Sequence, residues 1–341
     1  MSYAKKPTEL IIDPDLDDLA LHKLWKFLPD FNRKPIKWTG ICLVLWLAGF
    51  LVAYFWRPTV FEFTASLLDE LLGFILFMTA MFLLIDIWIF PGFLRTLQRR
   101  VRVKAFAAAN GFEFESEIVK RKYLGVIFNR GEEGSSTHNI KGIYRNLEFE
   151  VFNYSYRPDS GLPERRYGVI MVELLRELPH IIFDSRANNI AGLSNLGLNL
   201  QSRQEFQFEG DFNKYFRVFV PENYQRDVLY FMTPELMQLM VSKAGLLDME
   251  VVGAKLFFYG GEFSFKKAQL EEIFELIAGV GGEFTENMRL YKDERVENRH
   301  STFVSKRARR LKSKLATPIQ IATLAILIAF LLKILFEIYG Q

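Results

Sequence analysis

The chain has 341 residues, half of them hydrophobic and 15% aromatic, with a formal net charge of +3. This length leaves room for a membrane part and one or two modest soluble domains. The basic residues gather beside apolar segments, which argues against a nucleic-acid-binding domain. Because Cys42 is the only cysteine, an intrachain disulfide and a thiolate metal site are excluded.

The first predicted element is an amphipathic helix within residues 1–37, a segment expected in the cytosol. Asp13 can cap this helix, Pro14 suits its first position, and apolar residues recur on one side up to Leu28. Since it shortly precedes a membrane span, we expect it to lie in the membrane interface. Docking on the cytosolic domain is the alternative.

Two apolar segments then predict a transmembrane hairpin within residues 38–90. The first, about 38–56, holds no charged residue, and the second, about 71–90, holds only Asp86. Each approaches the ~20 residues that a helix needs to cross the hydrocarbon core. Asp86 lies near the cytoplasmic end of its span, so we expect an interfacial structural role for it rather than an ion pathway.

After the hairpin, residues 91–112 predict a basic juxtamembrane helix that ends at Asn110–Gly111. A cytosolic α+β domain, mainly an antiparallel β-sheet with two or three helices, is expected over residues 113–285. Period-2 alternation predicts strands within 113–128, 140–156, 167–174, 180–185, 204–209 and 215–220. Loops or irregular segments are expected at 131–136, 158–164 and 185–203.

The sequence of the second half of this domain predicts two helices with a β-hairpin between them. Thr233 and Pro234 predict a helix start, and a further helix is expected over about 267–278, ending at Gly279. Between these helices, Gly253–Ala254 is expected to turn a hairpin. Its two strands are predicted at 248–252 and 255–259. Strands followed by helices favour an α+β fold over a doubly wound parallel sheet.

A charged spacer over 286–316, expected to be helical, leads to a predicted C-terminal transmembrane helix at about 318–339. Orientation follows from the basic flanks, which mark the cytoplasmic side of a membrane. They place the N-terminus and the central domain inside and the C-terminus outside. The basic residues beside the central domain, expected near anionic headgroups, are Arg95, Arg99, Arg100, Arg102, Lys104, Lys306, Arg307, Arg309, Arg310, Lys312 and Lys314.

The sequence predicts no catalytic residues, no cofactor and no metal ligands, since its histidines are scattered without a ligand spacing. The irregular segment at 185–203 is the favoured contact surface, because long loops in compact domains are often functional. For Asp184, Asn188 and Asn189, and for Glu209–Asp211, structural turn chemistry is the favoured interpretation and a ligand-contacting loop is the alternative. The candidate partner-binding residues are Asp184, Arg186, Asn188, Asn189, Glu209 and Asp211.

The stretch FEGDFNKYFRVFVPENYQRDVLYFMTPELMQLMV, preceded by PHIIFDSRANN and followed by DMEVVGAKLFFY, resembles a family of uncharacterised bacterial membrane proteins. That family couples membrane spans to a cytosolic domain of unknown function. The resemblance covers about residues 140–280. It implies a bacterial origin and the inner membrane, and it brings no catalytic residues.

These patterns predict a non-enzymatic inner-membrane protein whose domain, tethered by spans two and three, binds a protein or lipid partner at the membrane surface. An accessory subunit of a transporter or secretion apparatus is the alternative. A third class, an enzyme acting on lipid or envelope precursors, would need several titratable groups in one pocket. Asp184, Glu209 and Asp211 pointing into one cleft would support it. The oligomeric state is left open.

Overall fold

The structure is a computed structural model. It describes residues 10–13, 73, 78–80, 92, 95–119, 123–128, 130, 132–158, 163–189, 194–198, 200–289, 291–295, 304–305 and 308–312. Within these residues no helix has the length and apolarity that crossing a bilayer requires. The predicted spans at 38–56 and 318–339 and the interfacial helix after Asp13 lie outside them. The span at 71–90 is described only at 73 and 78–80, which are helical.

A single antiparallel sheet forms the centre of the described domain, as expected for the α+β class. Its order is β1-β2-β3-β4-β6-β5, and β7 pairs with β4. The strands are β1 (Glu113–Val119), β2 (Glu132–Tyr144), β3 (Leu147–Arg157), β4 (Arg165–Ser185), β5 (Glu205–Phe206), β6 (Phe216–Phe219) and β7 (Asp248–Gly260). Of these, β4 contacts the most neighbours, because β7 follows one of its edges while β3 and then β6 occupy the other.

Helices cover one face of the sheet. They are α1 (residues 95–110), α2 (Phe212–Tyr215), α3 (Pro234–Ala244), α4 (Lys267–Leu276) and α5 (Gly282–Asn287), and a π-helical turn, Ile277–Gly281, joins the last two. The predicted start of α3 is confirmed: Thr233 Oγ1 accepts a hydrogen bond from the Leu236 N–H at 3.2 Å, and Pro234 occupies the first helical position.

Apolar side chains bury both faces of the sheet. On the helical face, Phe274 of α4 stacks on Phe112 with ring centroids 5.7 Å apart and meets Phe149 of β3 edge-on at 5.0 Å. On the opposite face, Phe257 and Tyr259 of β7 stack at 5.9 Å. Irregular segments cover this second face. The apolar side chains that they contribute are Tyr123, Val126, Ile127, Phe128, Leu196, Leu198, Leu200 and Leu311.

The predicted hairpin at 248–259 is wrong, because β7 is one continuous strand through Gly253. Before this glycine the odd-numbered Met249 and Val251 face the helices, and after it the even-numbered Leu256 and Phe258 do. The register with β4 shifts at the same place, and Gly253 has φ +61°. A bulge therefore interrupts the period-2 pattern here, as a two-residue turn would.

Further expectations differ from the structure. The strands predicted at 167–174 and 180–185 form one strand, β4, which β7 follows from Gly168 to Phe183. The loop predicted at 131–136 belongs to β2 from Glu132 onward, since Ser135 and Ser136 pair with β3. The helix predicted to stop at Gly279 continues through the π-helical turn into α5. Gly281 lets this helix approach the sheet, since a Cβ there would lie only 3.3 Å from Val172 Cγ2. The spacer at 286–316 is not helical in its described part beyond Asn287.

Residues 304–305 and 308–312, which we call the C-terminal strap, lie along the middle of β4. This part of the strand, residues 173–181, pairs with neither β3 nor β6. The strap fills the gap: the His180 N–H donates to Ala308 O at 2.8 Å, and the Val304 N–H donates to Glu177 Oε2 at 3.2 Å. The edge of β4 is thereby covered by the chain that leads to the predicted third span.

A glycine substitution tests the bulge. Gly253→Ala should lower the free energy of unfolding by about 1 kcal/mol, because alanine is strained at φ +61° although space is free around the new Cβ. Gly261→Ala, which has equal space and no positive φ, is the matched control and should change stability little. Chemical denaturation measures the stability of both variants. Equal loss of stability in the two would contradict the assignment of a bulge at Gly253.

Candidate functional site

Asp184 and Asp248 lie side by side where β4 ends and β7 begins. The register Phe183↔Met249 puts the two acids opposite each other on adjacent strands, and both are fully buried. They face the side of the sheet that the irregular segments cover, together with Ile182 and Val252. Two carboxylates in one buried position repel each other when both are charged, so each needs its own donors.

Asp248 is held by the backbone and side chains that follow β4. Its Oδ1 accepts from the Ser185 N–H at 2.8 Å, and its Oδ2 accepts from Asn188 Nδ2 at 2.9 Å. Burial raises the pKa of Asp248 to about 7, the neighbouring Asp184 raises it as well, and the hydrogen bonds from Ser185 and Asn188 oppose the rise. This carboxyl therefore takes up a proton near neutral pH.

Asp184 binds the same irregular segment further along. Its Oδ1 accepts from Ser194 Oγ at 2.5 Å, and its Oδ2 accepts from Asn189 Nδ2 at 3.3 Å. Burial raises the pKa of Asp184, while these hydrogen bonds and the charges of Arg217 and Arg186 limit the rise. Together the two acids hold Ser185, Asn188, Asn189 and Ser194 at the end of the sheet.

A second polar group lies further along the same face. Glu250 is fully buried and accepts from Tyr259 Oη at 2.6 Å and from the Val126 N–H at 2.8 Å. His180 Nε2 lies 2.7 Å from Glu250 Oε1, and His180 Nδ1 accepts from the Leu311 N–H at 3.2 Å. The histidine thus joins a buried carboxylate to the C-terminal strap.

The predicted partner-binding residues divide into buried and exposed ones. Asp184 cannot touch a partner, because it is fully buried, and Asn188 and Asn189 donate to the buried acids. Arg186, Glu209 and Asp211 are exposed. Asp211 pairs with Lys214 at 2.7 Å on the surface. Asp184, Glu209 and Asp211 therefore do not point into one cleft.

Two exposed side chains that the sequence did not predict, Tyr215 and Leu246, lie near the end of β4. The Arg186 N–H donates to Tyr215 O at 2.8 Å, and Asn188 Nδ2 donates to Leu246 O at 3.3 Å. Tyr215 is 47% exposed and Leu246 is 73% exposed. We call Arg186, Tyr215 and Leu246 the β4 rim. No local pattern marks the two apolar residues, since only the fold leaves them uncovered.

The sequence did offer one signal for the buried acids. Asp248 and Glu250 alternate with Met249 and Val251 in a predicted strand, so both acids had to share a face. This alternation shows that Asp248 and Glu250 lie on one face of the strand, but it does not show that this face is buried. Among the described residues, no three His, Cys, Asp or Glu side chains are arranged to hold a metal ion.

The basic residues predicted to lie at the membrane surface fall into three groups: those buried or ion-paired in the fold, those exposed, and those outside the described residues. Arg102 is only 7% exposed, Arg99 pairs with Glu262, and Arg309 pairs with Glu177 at 3.5 Å. These three take part in the fold, because α1 and the strap pack on the domain. Those that the structure leaves exposed or partly exposed are Arg95, Arg100, Lys104, Arg310 and Lys312. Those outside the described residues are Lys306, Arg307 and Lys314.

Comparison with known proteins finds no matching family model and no matching curated protein, consistent with a resemblance to an uncharacterised family. Among solved structures, the chain is similar to the crystal structure of the mycobacterial trehalose monomycolate transport factor A, TtfA. The TM-score is 0.39 and the identity 12%, over 57% of this chain and 96% of that one. So distant a similarity carries no argument about function.

The raised pKa of Asp248 predicts a pH dependence of stability. Below about pH 4 the carboxyl is neutral in the folded and the unfolded chain, whereas between about 4 and about 7 only the folded chain keeps the proton. Its contribution to the free energy of unfolding therefore falls as pH rises through this window. Relative to Asp248→Asn, the wild type should lose roughly 2–4 kcal/mol across it.

Denaturation at several pH values measures this difference. Asp211→Asn is the control, because Asp211 is exposed and lies outside the buried pair. It should keep the pH profile of the wild type. An identical slope in the wild type and in Asp248→Asn would contradict the assignment.

Proposed function

We propose that this protein is a non-enzymatic docking protein of the bacterial inner membrane, which binds a protein partner through the β4 rim on the cytoplasmic side. The observation that carries the proposal is the exposure of Arg186, Tyr215 and Leu246 close to the end of β4, where hydrogen bonds from Arg186 and Asn188 hold the backbone of the other two. Membrane location and orientation rest on the apolar segments and basic flanks of the sequence.

The chemistry of the rim suits a protein partner. Tyrosine and arginine are enriched among the residues that dominate binding energy at protein interfaces, where an aromatic ring buries area and a guanidinium donates several hydrogen bonds. Leu246 adds apolar surface, and Asp211 and Lys214 lie close along the chain to Tyr215 and supply charges for a polar edge. An apolar centre with a charged periphery is the usual arrangement of an interface.

The rim is also held in place before a partner arrives. Ser185 Oγ donates to Gly245 O at 2.6 Å, and Arg186 Nε donates to Asn213 O at 2.8 Å. These bonds connect the ends of β4, α2 and α3. The buried Asp248 also accepts hydrogen bonds from Ser185 and Asn188, which holds the same segment in place. A preorganised surface loses less conformational entropy on binding, which favours affinity.

The hydrogen bonds that the three buried acids accept within the domain support a non-catalytic role for them. Asp184, Asp248 and Glu250 each accept two or more hydrogen bonds from side chains or backbone of the domain. Such carboxyls stabilise an irregular cover over the sheet. A catalytic acid or base needs an accessible oxygen within reach of a substrate proton.

Photocrosslinking tests the proposal in cells. A photoreactive phenylalanine analogue at Tyr215 or Leu246 should give one discrete crosslinked product, and the additional substitution Arg186→Glu should reduce it at least about tenfold, because a charge reversal at the centre of an interface is strongly unfavourable. The matched control position is Leu175, which is 63% exposed on the middle of β4. It should give no such product.

Two outcomes would contradict the proposal. One is equal crosslinking from Leu175 and from the rim, which indicates non-specific proximity. The other is an unchanged product when Arg186→Glu is present while the variant keeps the thermal stability of the wild type.

A further inference from the structure

A polar cleft of about 530 Å³ lies between the C-terminal strap and the turn Glu222–Tyr224. Arg310 and Lys312 line it from the strap, and Gln204 and Asn223 line it from the domain. We propose that this cleft binds the phosphate group of an anionic lipid headgroup. The site is separate from the β4 rim and does not depend on partner binding there.

The charge of the cleft is positive. Neither Arg310 nor Lys312 has a carboxylate partner within 4 Å in the described part of the chain, whereas the adjacent Arg309 pairs with Glu177 at 3.5 Å. The one acid among the lining residues, Glu222, pairs with Arg203 at 3.5 Å. Two strap cations are therefore left for an anion from outside the domain.

The backbone holds these two cations in position. Gln204 binds Lys312 twice, since its Nε2 donates to Lys312 O and its Oε1 accepts from the Lys312 N–H, both at 2.7 Å. The Leu311 N–H donates to His180, and the Leu311 side chain packs against the second face of the sheet. Arg310 and Lys312 both line the cleft, whereas Leu311 between them packs against the sheet. The two cations therefore lie on the side of the strap opposite Leu311.

Position along the chain favours a lipid as the source of the phosphate. Lys312 precedes the predicted third span at 318 by six residues, which reach at most ~22 Å. The cleft therefore lies within a short distance of the headgroup layer if the span is inserted as predicted. A guanidinium binds two phosphate oxygens in parallel, and a nearby ammonium adds a point charge. Glycerophospholipids with a net negative charge supply this group.

Thermal unfolding of the full chain in detergent micelles tests the site. Dioleoyl phosphatidylglycerol should raise the melting temperature by about 3 °C or more, because a ligand that binds only the folded state stabilises it. Dioleoyl phosphatidylcholine, which has no net charge, should raise it much less. The double variant Arg310→Gln/Lys312→Gln should keep the melting temperature in detergent alone and lose the response to phosphatidylglycerol.

Arg309→Gln is the matched control, because Arg309 is the neighbouring exposed arginine that does not line the cleft. It should retain the response to phosphatidylglycerol. Equal responses to the two lipids, or a full response in the double variant, would overturn the site. If inorganic phosphate alone stabilises the chain through Arg310 and Lys312 and phosphatidylglycerol does not, the ligand is a soluble phosphate compound and the lipid assignment is wrong.

Discussion

The pairing of β4 along both of its edges is the constraint on which the rest of the described structure depends. A strand of 21 residues exposes a long row of backbone donors and acceptors unless each edge is covered. Here β7 covers one edge, and β3, the C-terminal strap and β6 cover the other in succession. Chain segments far apart in sequence are thereby brought together on one strand, and the candidate sites lie where they meet.

Covering the second face of the sheet with irregular chain has an electrostatic consequence. Helices satisfy their own backbone groups, whereas an irregular cover needs side chains to hold it. The buried acids Asp184, Asp248 and Glu250 do this by accepting hydrogen bonds from the cover and from its neighbours. Burying carboxylates costs free energy unless they are hydrogen-bonded or protonated. The raised pKa of Asp248 reflects that cost.

The basic residues that flank the predicted spans take different positions in the folded domain. In the sequence they match the charge rule from which membrane orientation is predicted. In the folded domain, however, Arg99 and Arg309 form ion pairs with Glu262 and Glu177, and Arg102 is buried. Arg310 and Lys312 differ because the strap turns them toward a cleft. Some basic residues of the flanks therefore stabilise the folded domain, and others line a candidate binding site.

Local patterns in the sequence were sufficient for features that depend on neighbouring residues. The antiparallel α+β class follows from alternation, and the start of α3 follows from Thr233 and Pro234. The sequence around Gly253 predicts a turn where the structure has a bulge, because either one breaks a period-2 pattern. The helical path from α4 past Gly279 into α5 brings Gly281 close to Val172, and no local pattern reports this approach.

The two candidate surfaces required tertiary structure for the same reason. The β4 rim joins Arg186, Tyr215 and Leu246, and the cleft joins residues near 204 and 223 to the strap near 311. Composition and periodicity determined that this chain has a mainly antiparallel domain between apolar segments. Which polar residues are buried and which remain exposed was decided by contacts between distant segments, because burial depends on what the rest of the chain packs against.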